Sequence, residues 1–158
     1  MKVTRACPEE VDEVVAVLSE AAAWLRSRGI DQWPDPYPAS WVASSVERGE
    51  THLARENGAV VGTITLRWAD PAFWGEQPPA AGYVHALAVR REFAGRGPEL
   101  LEWAEQRVRE EGRDLLRLDC RTDNARLRRY YEALGFEHRG DTTVDDFRTS
   151  LYERRCRP

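Results

Sequence analysis

The sequence predicts a mixed α/β (α+β) fold: a largely antiparallel sheet with one parallel strand–helix–strand crossover, flanked by helices. Three observations predict it. Periodicities of two and of 3.6 residues succeed one another as strand, two helices, three strands, helix, strand, helix and two strands. Asn57-Gly58 separates two strand-like runs, the mark of a tight antiparallel hairpin. Residues Gly82 to Leu101, GYVHALAVRREFAGRGPELL, read as strand, glycine turn and amphipathic helix, and a further strand follows. That unit, joining the fourth and fifth strands, is expected to be a right-handed parallel crossover.

The elements follow in order. Lys2 to Arg5 is a short strand. Pro8 opens a helix with Glu9, Glu10 and Asp12 early in it, where the helix dipole favours negative charge. Val11, Val14, Val15, Leu18, Ala22 and Leu25 recur at helical spacing, and Gly29 stops the helix. Residues 30–38 carry three prolines with Trp33 and Tyr37 and read as a stiff loop. Ser40 is the expected N-cap of a second helix that stops at Gly49. The hairpin strands are Thr51 to Arg55 and Val60 to Leu66, and Asp70 to Ala81 reads as a Pro- and Gly-rich loop. Pro98 suits the first position of the helix after the glycine turn, whose buried stripe is Leu100, Leu101, Ala104 and Val108. Leu115 to Cys120 is the next strand. Asp123 or Asn124 starts a helix that Gly135 closes, and Phe136 to Arg139 with Phe147 to Arg154 form a last hairpin.

A chain of 158 residues is long enough for one ordinary core, so residues 1–158 are expected to form a single domain. Hydrophobic residues at 42% and charged residues at 32% exclude a disordered chain. Residues 1–80 carry 7 basic and 12 acidic side chains, residues 81–158 carry 16 and 15. No basic excess of the kind a nucleic-acid protein shows is present, while an anionic ligand in the second half and a cationic one near the first are accommodated. Cys7, Cys120 and Cys156 are odd in number and widely spaced, which speaks against both a disulfide framework and a metal site. The start of the chain has no apolar signal core, and no run approaches the roughly 18 apolar residues of a membrane helix, so the cytoplasm is the expected compartment.

Chemistry concentrates at the glycine turn. Glycines between a strand and a helix let backbone N–H groups approach a ligand, and the helix N-terminus adds partial positive charge, which suits a phosphate or pyrophosphate. A dinucleotide fingerprint would need glycine at position 100, where Leu100 stands, and a P-loop would need Gly-Lys-Ser/Thr.

Two motifs, LAVRREFAGRG followed by LLEWAE, and NARLRRYYEALGF, together resemble the GNAT N-acetyltransferase superfamily. The resemblance covers nearly the whole chain by element order. The first motif looks like the family's acetyl-CoA strand and pyrophosphate loop, and departs from its Arg/Gln-x-x-Gly-x-Gly/Ala pattern. Counted back from Gly95 and Gly97, Glu92 holds the basic or amide position; counted forward from Val89, Ala94 does, with the helix about two residues early. The turn is read as shortened, leaving the pyrophosphate to backbone N–H groups between Arg91 and Pro98.

The resemblance implies acetyl transfer from acetyl-CoA, a co-substrate with no metal required, to a primary amine of a small molecule or peptide by direct attack. It implies cofactor contacts at Leu87, Ala88, Val89, Gly95 and Gly97, with Arg91 and Arg96 at the phosphates. Asn124 would bond the pantetheine arm, or serve as a helix cap. Tyr131 would protonate the leaving thiolate, since a phenol of pKa near roughly 10 stays protonated at neutral pH; its alternative is core packing. His85 lies on the strand face near which the amine should arrive and titrates in the useful range. It is the first choice as base, with a satisfied core histidine or a water-mediated route from Glu76 or Asp119 as alternatives. Trp24, Trp33, Tyr37 and Trp74, with Trp41 and Trp68, are candidates for the acceptor pocket. Homodimers are common in the family. The rival expectations are a catalytically inactive GNAT-fold protein that binds CoA or another ligand, and an interaction module using exposed tryptophans.

Overall fold

The computed structural model describes residues 1–158. In chain order they form β1 (Lys2–Arg5), a 3-10 turn (Pro8–Glu10), α1 (Val11–Ser27), α2 (Ala39–Glu47), β2 (Thr51–Glu56) and β3 (Ala59–Arg67). Then come α3 (Pro71–Trp74), β4 (Ala81–Val89), a second 3-10 turn (Arg91–Phe93), α4 (Gly97–Glu110) and β5 (Leu115–Arg121). The chain ends with α5 (Ala125–Ala133), β6 (Glu137–Val144) and β7 (Phe147–Arg155). Strand order is β1-β2-β3-β4-β5-β7-β6 in a seven-stranded sheet. β4 and β5 pair in parallel, as the crossover predicted.

The turns follow their residue chemistry. Asn57 and Gly58 both take positive φ, 51° and 81°, as the tight hairpin between β2 and β3 requires. Asn124 caps α5 with its side-chain oxygen, which accepts from the Leu127 N–H at 3.1 Å. Gly135 follows α5 at φ 87°.

Three local expectations are corrected. The stretch 70–81 is not all loop: Pro71–Trp74 is a single helical turn, with the Trp74 N–H bonded to the Asp70 carbonyl at 2.9 Å. Four residues carry no readable periodicity, and Pro71 has its φ preset for the first helical position. Ser40 is not the cap of α2; the helix begins at Ala39 after an extended Pro38, whose carbonyl accepts from the Trp41 N–H at 3.2 Å. The last hairpin is longer than expected, because Asp145 and Asp146 at φ 50° and 66° turn the chain tightly and let Val144 pair with Phe147.

The chain divides into two compact units, residues 1–66 with 86–100, and residues 67–85 with 101–158. In the first, β1, β2 and β3 pair antiparallel, with a register shift at Ala54/Arg55. One face of α1 and α2 closes over Leu53 through Val14, Val17, Leu18, Val42 and Val46, with Trp33 and Tyr37 against the edge of this core. Each such aliphatic side chain contributes about 1.5–3 kcal/mol by leaving water. Gly62 on β3 is required sterically, since a Cβ there would lie 2.5 Å from the Ala88 carbonyl oxygen.

In the second unit β5 pairs antiparallel with β7, and β7 with β6. Leu101, Ala104, Val108, Leu116, Leu118 and Phe136 are buried there. A buried ion pair joins α4 to β7: Arg154 donates to Glu105 at 2.7 Å and to the Leu134 carbonyl at 2.7 Å, with Phe136 under its guanidinium. The phenol of Tyr152, fully buried on β7, accepts from Arg128 at 3.0 Å and donates to Glu132 at 2.8 Å, so it grips one turn of α5.

Candidate active site

The end of β4 and the glycine turn belong to the first unit. The Arg90 N–H bonds the Val61 carbonyl at 2.8 Å, and the 3-10 turn closes with Phe93 and Ala94 N–H groups on the Arg90 and Arg91 carbonyls. Gly95 takes φ 97°, a conformation L-residues rarely adopt, and nothing lies within 4 Å of where its side chain would be. An open flank beside a left-handed glycine, one residue pair before the N-terminus of α4, is a cradle that a phosphate can approach closely.

The cations around it are engaged. Arg96 reaches both carboxylate oxygens of Glu56 at 2.9 and 3.1 Å and is also held by Glu99. Hydrogen bonds from Arg96 push the Glu56 carboxyl down to about 2. The Arg91 N–H donates to Glu20 at 3.2 Å, and the Arg90 guanidinium is 3.7 Å from the other oxygen of that carboxylate. The Arg91 guanidinium lies 3.8 Å from the centre of the Trp24 ring, which Arg28 approaches to 5.1 Å. Thus the structure stacks Trp24, expected at the acceptor, on Arg91, expected at the cofactor. Trp33, Tyr37 and Trp41 form a ladder of edge-on contacts at 6.1 and 5.7 Å.

The second unit holds the titratable cluster. β4 and β5 pair through Ala81–Tyr83 and Leu115–Arg117, and His85 and Asp119 stand two residues beyond the last pair on each strand. Side chains of one strand face recur every second residue, so these two come to the same face. His85 Nε2 is 2.7 Å from Oδ2 of the buried Asp70, and His85 Nδ1 is 3.8 Å from Asp119 Oδ2. Side-chain exposure is 17% for His85 and 14% for Asp119, so both remain reachable. Burial pushes the Asp119 carboxyl up to about 6, against the lowering pull of His85. Phe73 walls the imidazole at 5.4 Å between ring centres. Directly after His85, Ala86 takes φ 46°, which breaks the strand's regular pleat.

Tyr131 is buried against Tyr130, Phe136 and Tyr152, and burial raises its phenol, keeping the proton on oxygen throughout the physiological range. Asn124 spends its oxygen on the cap described above. Trp74 packs on Tyr83 at 6.0 Å and on the Arg117 guanidinium at 4.6 Å, with its buried indole N–H unpartnered.

The Acetyltransferase (GNAT) family profile matches residues 17–136, which include the glycine turn and the Tyr131 helix. The chain belongs to the GNAT acetyltransferase family. The N-acetyltransferase YesJ of Bacillus subtilis (strain 168) is 30% identical over 149 residues, covering 85% of this chain and 82% of YesJ. A GNAT acetyltransferase of Listeria monocytogenes has a TM-score of 0.81 at 26% identity, covering 98% of this chain and 94% of its own. The YncA acetyltransferase of Salmonella typhimurium, solved with acetyl-CoA, has a TM-score of 0.66 at 15% identity, covering 100% and 95%. This GNAT chain is therefore an acyl-CoA-dependent acetyltransferase.

Sequence reasoning ranked Asp119 below His85 and did not single out Asp70. The signal for Asp119 was its parity with Arg117, matching that of His85 with Tyr83 on the parallel neighbour. Asp70 gave only its place ahead of Pro71.

Proposed function

We propose that this GNAT enzyme transfers the acetyl group of acetyl-CoA to a primary amine of a small molecule or peptide by direct attack of the amine on the thioester. The observation that carries the reading is the 2.7 Å contact between His85 Nε2 and the buried Asp70. A carboxylate accepts only, so the ring hydrogen is on Nε2 and the lone pair is on Nδ1. Nδ1 is then the base that takes a proton from the attacking nitrogen, and Asp70 stabilises the imidazolium. Tyr131 keeps its proton until a thiolate forms and then donates it. The N–H groups around Gly95 suit the pyrophosphate, and the backbone of Leu87, Ala88 and Val89 suits the pantetheine arm. Arg91 and Arg96 would reach phosphate by exchanging their present carboxylate and indole partners. Asn124 would offer its amide N–H₂ to the same arm. Trp33, Tyr37 and Trp41 form an aromatic ladder whose chemistry suits an acceptor with apolar bulk, and three free cysteines fit a reducing, cytoplasmic setting.

A second reading is a GNAT protein that binds CoA without turnover, favoured by the carboxylates of Glu20, Glu56 and Glu99 on the cations of the turn. Thiol release from acetyl-CoA with a panel of primary amines separates the two. Release with at least one amine, lost in Tyr131→Phe while acetyl-CoA still raises the melting temperature, supports the enzyme. Stabilisation by acetyl-CoA with no thiol release from any amine supports the binder.

A further inference from the structure

An alkyl amine reaches an enzyme at neutral pH as its ammonium, because its pKa lies near the roughly 10.4 of lysine. To become an amide its nitrogen must shed two protons, one before attack to free the lone pair and one as the tetrahedral adduct collapses. A base that keeps its first proton until turnover ends serves only one of these events. The cluster in the second unit offers two acceptors side by side: His85 Nδ1 and Asp119 Oδ2, 3.8 Å apart. A nitrogen placed about 2.9 Å from each satisfies both at once, with one N–H directed to each. The third member, Asp70, is already committed to His85 Nε2. Asp119 has no comparable commitment; its nearest cationic-capable partner is that 3.8 Å imidazole nitrogen.

We propose that Asp119 holds the acceptor as a primary alkylammonium and takes its first proton, leaving His85 Nδ1 to take the second. This rests on the acetyltransferase reading above and adds to it a catalytic residue and a substrate class. The step balances. The ammonium N–H bond breaks and its proton goes to the Asp119 carboxylate. The freed lone pair forms the C–N bond as the C–S bond breaks, Tyr131 protonates the thiolate, and the second N–H proton goes to His85. Of the two protons removed from nitrogen, one replaces the proton lost by Tyr131 and the other is released to water.

Burial supports the assignment, because a carboxyl pushed up to about 6 is a better proton acceptor than an ordinary aspartate yet still ionised at pH 7. The groups that set its titration are His85 on β4, Asp70 before α3 and Arg67 at the end of β3; Cys120 and Tyr131, also coupled to it, are neutral at that pH. An arylamine, uncharged at neutral pH, has no first proton to lose and so needs His85 alone.

The test compares wild type and Asp119→Asn with n-butylamine, phenethylamine and aniline, reading thiol release against pH. The expected result is a loss of about 10²-fold or more in kcat/KM for the two alkyl amines, with aniline within about threefold. The acidic limb near pH 6 should vanish for the alkyl amines. An equal loss for all three amines, or an unchanged acidic limb, would overturn the proposal. A measurement without turnover keeps it separable from the acetyltransferase reading: titration of n-butylammonium into ¹³C-labelled protein, following the Asp119 carboxyl and the His85 ring. Both signals should move in wild type, and the His85 signal should stay still in Asp119→Asn. If neither moves in wild type at tens of millimolar, the assignment is wrong even where some other amine is acetylated. If both move while no amine releases thiol, the ammonium site stands and the enzyme reading fails.

Discussion

His85 Nε2 lies 2.7 Å from Asp70 Oδ2, which makes a carboxylate fifteen residues earlier the group that decides which imidazole nitrogen is basic. Asp70→Asn can present either its oxygen or its amide hydrogens to Nε2, so the tautomer is no longer fixed. The expected outcome is a fall in kcat of about 10- to 10³-fold with little change in KM for acetyl-CoA. Long-range ¹⁵N correlation of the His85 ring should show the Nε2–H form dominant in wild type and mixed in the variant.

Asp119 makes a prediction about stability as well as rate. Its folded carboxyl, at about 6, lies above the ordinary aspartate value of about 3.9, so the folded state binds more protons between those values and stability falls as pH rises through that window. Above it, the buried ionised group costs about 3 kcal/mol. Asp119→Asn should therefore be the more stable protein at pH 7.5, with the advantage gone by pH 4. Urea unfolding at the two pH values checks both halves.

Tyr131→Phe keeps the ring contacts with Phe136 and Tyr152 and removes only the hydroxyl proposed as the acid. Thiol release should drop about 10²-fold at pH 7 while the melting shift given by acetyl-CoA is unchanged. Loss of that shift would mean that the phenol supports the fold or the ligand rather than the proton transfer.

At the glycine turn the carboxylate of Glu20 takes the Arg91 N–H and sits beside Arg90. On the proposed reading, a pyrophosphate bound at this turn displaces it. Glu20→Gln weakens that competitor by removing its charge, and acetyl-CoA should bind several-fold more tightly, most clearly at low ionic strength. Calorimetric titration at two salt concentrations measures it.

Gly62→Ala places a methyl 2.5 Å from the Ala88 carbonyl oxygen, backbone against side chain, with no flexible group able to yield. A loss of about 2–4 kcal/mol is expected, read as a lower urea midpoint with unchanged slope.

Most of the fold was legible because local chemistry decided it. Asn57-Gly58, Gly135 and the cap at Asn124 each state a backbone conformation that few other residues would accept. The four-residue α3 was not legible, being shorter than any period that could reveal it. In the proposed site, His85 is suggested by its strand and Tyr131 by its motif. Asp70 could not, since its role exists only once a loop residue is folded onto a strand fifteen residues away. Trp24 and Arg91 illustrate the same limit: 67 positions apart in the chain, they were assigned to different ligands, and tertiary structure makes them one stacked pair.

Tyr152 carries a consequence for motion. Its phenol binds Arg128 and Glu132, residues one helical turn apart, and Tyr131 sits between them in sequence. Tyr131, the proposed proton donor, therefore rides on a turn of α5 that is tethered to β7 on both sides. Hydrogen exchange should be slow around residues 131–134 and should speed up there when the tethers are removed. Tyr152→Phe would release both tethers at once and widen the range of positions from which Tyr131 delivers its proton, trading a defined geometry for a distribution of them.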